Sequence, residues 1–437
     1  PELIQGHERL LIAPTGSGKT LAAVLPLLHR CKVEEWKPLS ILYITPLRAL
    51  NRDVDRRLAE LSEALDLRFA LRHGDTPQNE RSRQTRRPPH LLVTTPETFQ
   101  LMFTGHRLRA MLSSVQAVII DEVHDLAANE RGWQLRLGLQ RLEALCGRTL
   151  QKIGLSATVG NPEQVASWIS GDSCQPILAP AERSTVLTVE TASPLPEDEV
   201  GAMEMRLSPR AHATFRLLSE IVEKDPPCLV FVNSRNAAET VAQRLQTMAP
   251  QLTIGVHHGS LAAETRQEME ENIRNGSLQA LICTSSLELG IDVGSIRKIV
   301  QLESPRSVDR MLQRVGRADH RIGGIGRGHL LAWEIDGIAE SAVVAHRSHL
   351  GSIEDVEWRN RPYSIAANQI MLMAHSFKVV RIDDVHEIFS KTEQFEDWTR
   401  KDTENVLAVL SDRWLLRYSL TPDETPWYRW PKHLYLA

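Results

Sequence analysis

Cysteine, long hydrophobic runs and net charge are all sparse in this sequence. Its five cysteines lie far apart without a Cys-x-x-Cys pair, so we expect no zinc ribbon or clustered iron–sulfur site. This pattern is typical of reduced thiols in the cytoplasm. Apolar stretches such as 21–28 are far too short to cross a bilayer. A net charge of −4 argues against a histone-like polycation.

The length of the chain predicts more than one domain. It has 437 residues, too many for a single hydrophobic core, and an ordinary globular mix of 42% hydrophobic and 24% charged residues. It begins at Pro1 rather than Met. We therefore expect the numbering to start inside a longer protein and the first domain to be truncated at its N-terminus.

Charge is distributed unevenly along the chain. Residues 66–110 carry eight arginines and four acids, and residues 297–330 carry eight Lys/Arg and three acids. Residues 190–204 carry five acids and no basic residue. Such runs are often only solvated faces, but basic segments beside phosphate-binding motifs also suit a polyanionic partner.

Short apolar runs alternate with helical patterns in two successive stretches, which predicts parallel sheets covered by helices. In the first stretch, the predicted strands are 8–13, 40–45, 90–94, 115–120 and 151–155, and the predicted helices are 19–30 and 47–65. In the second, the predicted strands are 228–232, 252–256, 279–283 and 298–302.

Prolines and an acidic cluster interrupt this rhythm between about 180 and 209. We therefore predict an α/β domain over 1–180, a connector over 181–209 and a second α/β domain over 210–351. Beyond these, three short helices (363–374, 382–389 and 403–410) and a strand (414–420) suggest a small winged-helix domain over 352–421. Residues 422–437 are then expected to begin a further segment. The small domain would either contact nucleic acid or brace the second α/β domain.

A glycine-rich motif, APTGSGKT at 13–20, follows the first predicted strand and opens a helix. Its glycines let backbone N–H groups surround a phosphate, and the helix N-terminus adds a favourable dipole. Lys19 supplies positive charge to the β- and γ-phosphates, and Thr20 offers a hydroxyl to Mg²⁺. The residues expected to hold the nucleotide here are Thr15, Gly16, Ser17, Gly18, Lys19 and Thr20.

Two further motifs in the first stretch end predicted strands, where α/β sheets bind ligands. In DEVH at 121–124, Asp121 would hold Mg²⁺ and Glu122 would activate the attacking water. In SAT at 156–158, Ser156 and Thr158 would link the γ-phosphate region to neighbouring loops. Three small polar residues can equally be a simple helix cap.

The second stretch carries TSSLELGIDVG at 284–294 and QRVGRADHR at 313–321. Arg314 and Arg317 are three residues apart, so on a helix they would project from one face. Two guanidinium groups there could stabilise charge developing at a γ-phosphate. The alternative is a solvated basic face.

Taken in order, these motifs resemble the core of a superfamily 2 helicase. The set consists of APTGSGKT, TPLRAL, TTPET, DEVH, SAT, LVFVNSR, TSSLELGIDVG and QRVGRADHR. DEVH, HHGSL at 257–261 and SSLELGID with QRVGRA closely resemble the Lhr (large helicase-related) family. The match covers roughly 8–350, and the weaker winged-helix resemblance extends to about 420.

The resemblance implies an α/β fold of two RecA-like parallel-sheet domains in tandem, followed by a small winged-helix domain. ATP and Mg²⁺ would bind in the cleft, with Lys19 and Glu122 contributed by the first domain and Arg314 and Arg317 by the second. Further nucleotide contacts are implied at Gly290 and Asp292. Residues implied to contact the nucleic-acid backbone are Arg48, Thr95, Asn233, Arg235 and Thr284. Residues implied to couple the two sites are His124, Ser156 and Thr158.

The resemblance implies a DNA-dependent ATPase that translocates 3′→5′ on single-stranded DNA and unwinds DNA or RNA–DNA duplexes. An RNA helicase or RNP remodeller on the same core is the alternative enzyme. A non-catalytic nucleic-acid-binding scaffold would be expected to lose Lys19, Glu122 or the arginines, and all are present. One departure is Asp319, which stands where the family usually has glycine.

Overall fold

The computed structural model describes residues 1–14, 17–46, 52–157, 159–179, 185–288, 294, 296–318, 326–420 and 426–429. Within these ranges, seven parallel strands form a first sheet in the order β3-β4-β2-β5-β6-β1-β7. The strands are Arg9–Ile12 (β1), Ile41–Ile44 (β2), Phe69–Arg72 (β3), Leu91–Thr94 (β4), Ala117–Ile120 (β5), Gln151–Ser156 (β6) and Gln175–Leu178 (β7).

Helices cover both faces of this sheet. They are Lys19–Val33 (α1), Arg52–Ala64 (α2), Gln78–Arg86 (α3), Pro96–Met102 (α4), His106–Leu112 (α5), Val123–Ala127 (α6), Glu130–Cys146 (α7) and Pro162–Ser170 (α8). Strand β2 shows why both faces must be covered, because Ile41 and Tyr43 enter one core while Leu42 and Ile44 enter the other. A strand that is apolar on both faces belongs in a buried parallel sheet.

The described residues of the second domain form a six-stranded parallel sheet in the order β10-β11-β9-β12-β13-β8. Its strands are Thr185–Glu190 (β8), Cys228–Phe231 (β9), Ile254–His257 (β10), Ala280–Cys283 (β11), Lys298–Leu302 (β12) and Gly326–Leu331 (β13). Its helices are Pro196–Met205 (α9), Pro209–Lys224 (α10), Arg235–Met248 (α11), Ala263–Arg274 (α12), Val308–Val315 (α13) and Ile335–His349 (α14). The expectation of two parallel-sheet domains in tandem is confirmed.

The segment predicted as a connector contributes a strand and a helix to the second domain. Strand β8 pairs with β13 along its whole length, and α9 lies directly before α10. The proline and acidic residues that suggested a linker form the beginning of this helix. Pro196 is its first residue, and the acidic cluster occupies its first turn. Proline is favoured at that position and acidic side chains there oppose the helix dipole.

A third unit follows the second sheet. Its helices are Tyr363–Phe377 (α15), Ile382–Phe389 (α16) and Arg400–Asp412 (α17), and its strands are Val379–Arg381 (β14), Arg417–Leu420 (β15) and Pro426–Arg429 (β16). The three predicted helices are present, while the winged-helix assignment stays a prediction. Strand β16 lies between β14 and β15 in an antiparallel sheet, so this sheet extends into the segment predicted to begin a further unit. Three short 3₁₀ turns complete the described elements, at Gly171–Ser173, Ser285–Leu287 and Glu393–Phe395.

The third unit packs against the first domain through α7. Trp133 and Leu137 of this helix belong to the core of the third unit, whereas Leu135 and Leu139 belong to the core of the first domain. The helices of this unit therefore pack against the first α/β domain, and the alternative that they brace the second α/β domain is wrong. In the described ranges, every helix is too short or too polar to traverse a bilayer.

Buried Asp198 on α9 ties that helix to α10. Its carboxylate accepts hydrogen bonds from the Leu195 amide at 2.8 Å, from His212 Nδ1 at 2.8 Å and from Arg216 at 3.1 Å. Burial acts to raise the pKa of Asp198, but hydrogen bonds from Arg216, the Leu195 amide and His212 outweigh it and lower this pKa to about 2. The carboxylate is therefore ionised in the folded protein.

We expect Asp198→Asn to lower the free energy of unfolding by about 1.5–3 kcal/mol at pH 7, since its hydrogen bonds are to charged groups. The parental advantage is present above the ordinary Asp pKa of about 4 and is lost as the pH falls from there toward 2. Urea denaturation at pH 7 and pH 3 measures both effects, with the exposed Glu199→Gln on the same helix as control. An equal loss in the two variants would contradict this role for Asp198.

Candidate active site and nucleic-acid interface

The carboxyl ends of three neighbouring strands bring the first-domain motifs together. Strands β5, β6 and β1 are adjacent in the sheet, and the loops that follow them contain DEVH, SAT and the glycine-rich motif. Ligands bind α/β sheets at this edge. The three motifs therefore face one site, as their order along the sequence predicts.

The glycine-rich loop meets α1 at Gly18, whose φ of 88° lies in the left-handed region that favours glycine. Lys19 opens the helix, and its ammonium group donates hydrogen bonds to the carbonyl oxygens of Ala13 and, at 3.3 Å, Pro14. Ser17 precedes Gly18 and Thr20 follows Lys19. Thr15 and Gly16 lie outside the described residues. The loop thus carries its positive charge at the carboxyl edge.

Asp121 is fixed from two sides at the end of β5. The fully buried Tyr43 donates a hydrogen bond from its hydroxyl to Asp121 Oδ2 at 2.6 Å, and the Glu122 amide donates to Asp121 Oδ1 at 2.9 Å. Burial and then the charge of Glu122 raise the pKa of Asp121 to about 6. The sequence analysis missed Tyr43. Its only signal was the polar hydroxyl of a tyrosine within an otherwise apolar, buried strand.

Glu122 adopts a backbone conformation that is rare for a residue with a side chain. Its φ of 48° and ψ of 48° are left-handed, and such strain is often found at functional positions. Burial raises the pKa of Glu122, and the positive charges of Lys19 and Arg317 oppose this rise. Cations from both α/β domains therefore act on this one carboxylate.

His124 connects DEVH to SAT and to the second domain. Its Nδ1 lies 2.9 Å from Ser156 Oγ, and its Nε2 lies 2.8 Å from the amide nitrogen of Gln313 on α13. Burial lowers the pKa of His124, which favours the neutral ring. Because Gln313 donates to Nε2, the ring proton lies on Nδ1 and is donated to Ser156. Thr158, predicted beside Ser156, lies outside the described residues.

Gln313 is a site residue that sequence reasoning missed, although it is the first residue of QRVGRADHR. Helix α13 ends at Val315, so Arg317 lies in the turn beyond it. This turn stays helical, because Gly316 has a φ of −59° and the Arg317 amide donates to the Arg314 carbonyl at 3.0 Å. Both arginine side chains therefore reach Glu288, Arg314 its carboxylate and Arg317 its carbonyl oxygen.

Arg314 points into its own domain rather than toward the phosphate site. Its side chain is buried, and its Nε donates to Glu288 Oε1 at 2.7 Å while its other nitrogens bind Glu288 and Gln301. Its guanidinium carbon also lies 5.1 Å from the centre of the Phe231 ring. Arg314 is therefore an internal anchor of the second domain in this structure, and its predicted phosphate contact stays a prediction.

Arg317 remains the candidate arginine finger. Its Nε donates to the carbonyl oxygen of Glu288 at 3.0 Å, and its charge acts on Glu122 across the cleft. The other second-domain residues predicted at the nucleotide, Gly290 and Asp292, lie outside the described residues, as does Asp319.

Three predicted nucleic-acid contacts lie around one cleft between the α/β domains. Asn233, Arg235 and Thr284 line this space of about 690 Å³ together with Arg306 and Arg310. Asn233 and Arg235 are exposed, which suits contact with a strand. The cleft also reaches His124 and Gln313, so the predicted strand contacts and the coupling residues share one space.

The structure does not bring Thr95 into this cleft. Thr95 is buried and caps α4, where its hydroxyl accepts a hydrogen bond from the Thr98 amide at 3.4 Å. Its hydroxyl is thus engaged within the protein. Arg48 lies outside the described residues.

The basic segment of the first domain forms a second, smaller cleft of about 460 Å³ between α3 and α5. Among the described residues that line it, none is acidic, and the basic ones are Arg72, Arg81, Arg86, His106 and Arg107. In the sheet, Arg72 pairs with Thr94, the residue before Thr95. Positive charge therefore continues along the carboxyl edge of the sheet.

Comparison with known proteins places both α/β domains in helicase families. The DEAD/DEAH box helicase family matches residues 1–165, and the helicase conserved C-terminal domain matches residues 213–323. The Lhr-Core ATP-dependent helicase of Methanocaldococcus jannaschii is 33% identical over 94% of this chain and 50% of its own length. The Lhr helicase/uracil glycosylase of Escherichia coli is 33% identical over 94% of this chain and 30% of its own length.

The chain thus spans about half the length of the archaeal relatives it matches. Among solved structures, the Mycobacterium smegmatis helicase Lhr bound to ssDNA and AMP-PNP has a TM-score of 0.85 and 34% identity, over 98% of this chain and 57% of that chain. The DUF1998 helicase MrfA bound to DNA has a TM-score of 0.73 at 20% identity, which shows a shared fold. With both helicase domains matched and Lhr relatives aligned along nearly all of its length, this chain belongs to the Lhr-type helicases of superfamily 2.

Proposed function

We propose that this chain is the ATP-driven motor of an Lhr-type helicase. In this function it hydrolyses ATP in response to nucleic acid, moves 3′→5′ on single-stranded DNA and unwinds DNA or RNA–DNA duplexes. The observation that carries the proposal is the contact between His124 of the first domain and Gln313 of the second. This contact holds Arg317 of the second domain near Glu122 of the first, as an ATPase site shared between two domains requires.

In this mechanism, Glu122 accepts a proton from the attacking water. Its pKa, raised by burial, favours proton uptake, while Lys19 and Arg317 keep the carboxylate available. Lys19 would release the loop carbonyls and bind the β- and γ-phosphates. Arg317 would stabilise charge that develops at the γ-phosphate.

The donor set at the end of β5 fits Mg²⁺. Asp121 is half-buried beside Glu122, and a hydrogen bond between the Thr20 side chain and the Tyr43 hydroxyl places Thr20 close to Asp121. Magnesium prefers carboxylate and hydroxyl oxygens and usually shares its coordination with substrate phosphates. Among the described residues, no group of three or more His, Cys, Asp or Glu side chains could hold a metal ion without such phosphates. When bound, the ion would neutralise phosphate charge.

Nucleic acid would cross the cleft lined by Asn233, Arg235 and Thr284. The smaller basic cleft beside α3 would extend this path across the first domain. Contacts of this kind bind phosphates and sugars and carry little sequence specificity. A strand bound to both domains would favour their closure and so promote hydrolysis.

The choice of DNA over RNA rests on the relatives, since the Lhr of M. smegmatis has a structure bound to ssDNA. An RNA helicase or RNP remodeller is the second candidate, because backbone contacts can serve either polymer. A non-catalytic scaffold is disfavoured, since Lys19, Glu122 and Arg317 converge as hydrolysis requires. We place the protein in the cytoplasm, where its five free thiols would remain reduced.

Hydrolysis of ATP by the parental chain should rise when single-stranded DNA is added. The reason is that the strand bridges both domains and brings Arg317 to the phosphate. Steady-state rates with single-stranded DNA, single-stranded RNA or neither test this. Equal rates in all three would reject the coupling, and stimulation by RNA alone would favour the remodeller.

Glu122→Gln should keep ATP binding but lose turnover by roughly 10²–10³-fold, because only the transition state needs its carboxylate. Lys19→Ala should weaken both, since Lys19 also binds the ground-state phosphates. Binding of a fluorescent ATP analogue and single-turnover hydrolysis separate the two effects. A Glu122→Gln protein that turned over near the parental rate would remove the role assigned to this residue.

The two arginines of QRVGRADHR should behave differently. Arg317→Ala should lower hydrolysis by roughly 10³–10⁵-fold with little change in melting temperature. Arg314→Ala should leave Glu288 buried without its partner and lower stability by about 3–5 kcal/mol. Thermal melts and activity per folded molecule distinguish them, and a stable, inactive Arg314→Ala protein would restore a catalytic role to Arg314.

A further inference from the structure

Residues 352–358, here called the strap, form neither helix nor strand between α14 and α15 and contact both α/β domains. We infer that the strap positions α13 against the loop after SAT, with Glu354 and Asn161 as positioning residues for ATP hydrolysis. This inference rests on the proposed function. It assigns a role in that reaction to a segment outside the helicase motifs.

The strap is anchored to the second domain by Glu354. Its carboxylate accepts hydrogen bonds from the Val308 amide at 3.0 and 3.1 Å and from the Asp309 amide at 3.4 Å. These are the first two amides of α13, and its N-cap residue, Ser307, makes no side-chain cap of its own. A carboxylate here satisfies free amides and opposes the helix dipole. Arg347 of α14 holds the same carboxylate at 3.4 Å.

The strap is anchored to the first domain by Asn161. Its side-chain amide nitrogen donates to the Val356 carbonyl at 2.9 Å, and its oxygen accepts from the Val356 amide at 2.8 Å. This reciprocal pair resembles one rung of a β-ladder. Asn161 precedes α8, yet its side chain makes no cap for that helix. It also donates to the side-chain oxygen of Gln164 on α8, so it links this helix to the strap.

Gly160 allows the strap to lie directly on the loop after SAT. A Cβ atom at this position would lie 2.7 Å from the Ile353 carbonyl oxygen and 2.8 Å from that of Glu354. Neither distance is compatible with the present path of the strap. The strap backbone thus depends on glycine here.

The apolar side chains of the strap enter different cores. Ile353 packs against the α13–α14 core of the second domain, and Val356 packs against the core of the first domain. Trp358 contacts both the first-domain core and that of the third unit. The strap is therefore held along its length by all three units.

These anchors close a loop around the coupling residues. On one side, Ser156 binds His124, which binds Gln313 of α13. On the other side, the chain beyond SAT binds the strap, and Glu354 of the strap binds the start of α13. Two connections thus fix α13 relative to DEVH, and Arg317 follows directly from this helix. Without the strap connection, α13 loses one of the two connections described here, so we expect Arg317 to be placed less accurately.

The test uses the full chain and three changes to the strap contacts: Glu354→Ala, Gly160→Ala and Asn161→Ala. Glu354→Gln is the rescue variant, because an amide oxygen still accepts the α13 amides. The matched control is Glu340→Ala, which removes an exposed acid from the neighbouring helix α14 outside the cleft. For each variant, kcat and KM for ATP with saturating single-stranded DNA, Kd for DNA and the melting curve are measured.

We expect Glu354→Ala and Gly160→Ala to lower kcat by roughly 10- to 100-fold, as displacing a catalytic group by about 1 Å does. KM for ATP and Kd for DNA should change less than threefold, Glu354→Gln should recover most of the rate, and Glu340→Ala should match the parental chain. A purely structural role would lower the melting temperature without this kcat-specific loss. Should Glu354→Ala fail to fold, Gly160→Ala and Glu354→Gln decide.

Parental kcat in folded Glu354→Ala or Gly160→Ala protein would overturn the inference, as would an equal loss in Glu340→Ala. If nucleic acid does not change the rate of ATP hydrolysis by the parental chain, the proposed function is contradicted but the role of the strap is not. The role of the strap is then tested on the rate of ATP hydrolysis without nucleic acid, which depends on the same Glu122 and Arg317. Equal basal rates in the parental chain and the strap variants would overturn it.

Discussion

Placing two adjacent, partly buried carboxylates side by side is the constraint around which this active site is built. Asp121 and Glu122 lose part of their contact with water at the end of β5, where burial raises the pKa of both. Burial of like charges is costly unless donors and cations converge on them. Tyr43 therefore binds Asp121, while Lys19 and Arg317 bring positive charge to Glu122. Because Arg317 belongs to the second domain, satisfying these carboxylates also favours a particular arrangement of the two domains.

Much of this architecture follows from local sequence patterns. Buried strands such as 298–302 are short apolar runs with clear boundaries, and DEVH and SAT end strands as their positions predict. The connector could not be recognised in this way. Proline and acidic residues favour both linkers and helix starts, and only the pairing of β8 with β13 decides between them.

The missed site residues share a different cause, because their roles depend on partners distant in sequence. Gln313 gains its role from His124, and Glu354 gains its role from α13. Spacing alone could not assign Arg314, because it does not show whether the guanidinium group binds a phosphate or a carboxylate of its own domain. The nearby Glu288, which holds Arg314, gave no signal of its own in the sequence.

The two strap anchors also limit how the α/β domains can move. Glu354 and Val356 are two residues apart, and extended chain spans at most about 3.6 Å per residue, so the points they hold stay within about 7 Å along the backbone. Leu137 and Leu139 of α7 meanwhile join the third unit and the first domain into one body. While both anchors hold, the second domain cannot withdraw at this point and can only rotate about it. Opening of the cleft would then be greatest far from the strap, which makes the strap a pivot.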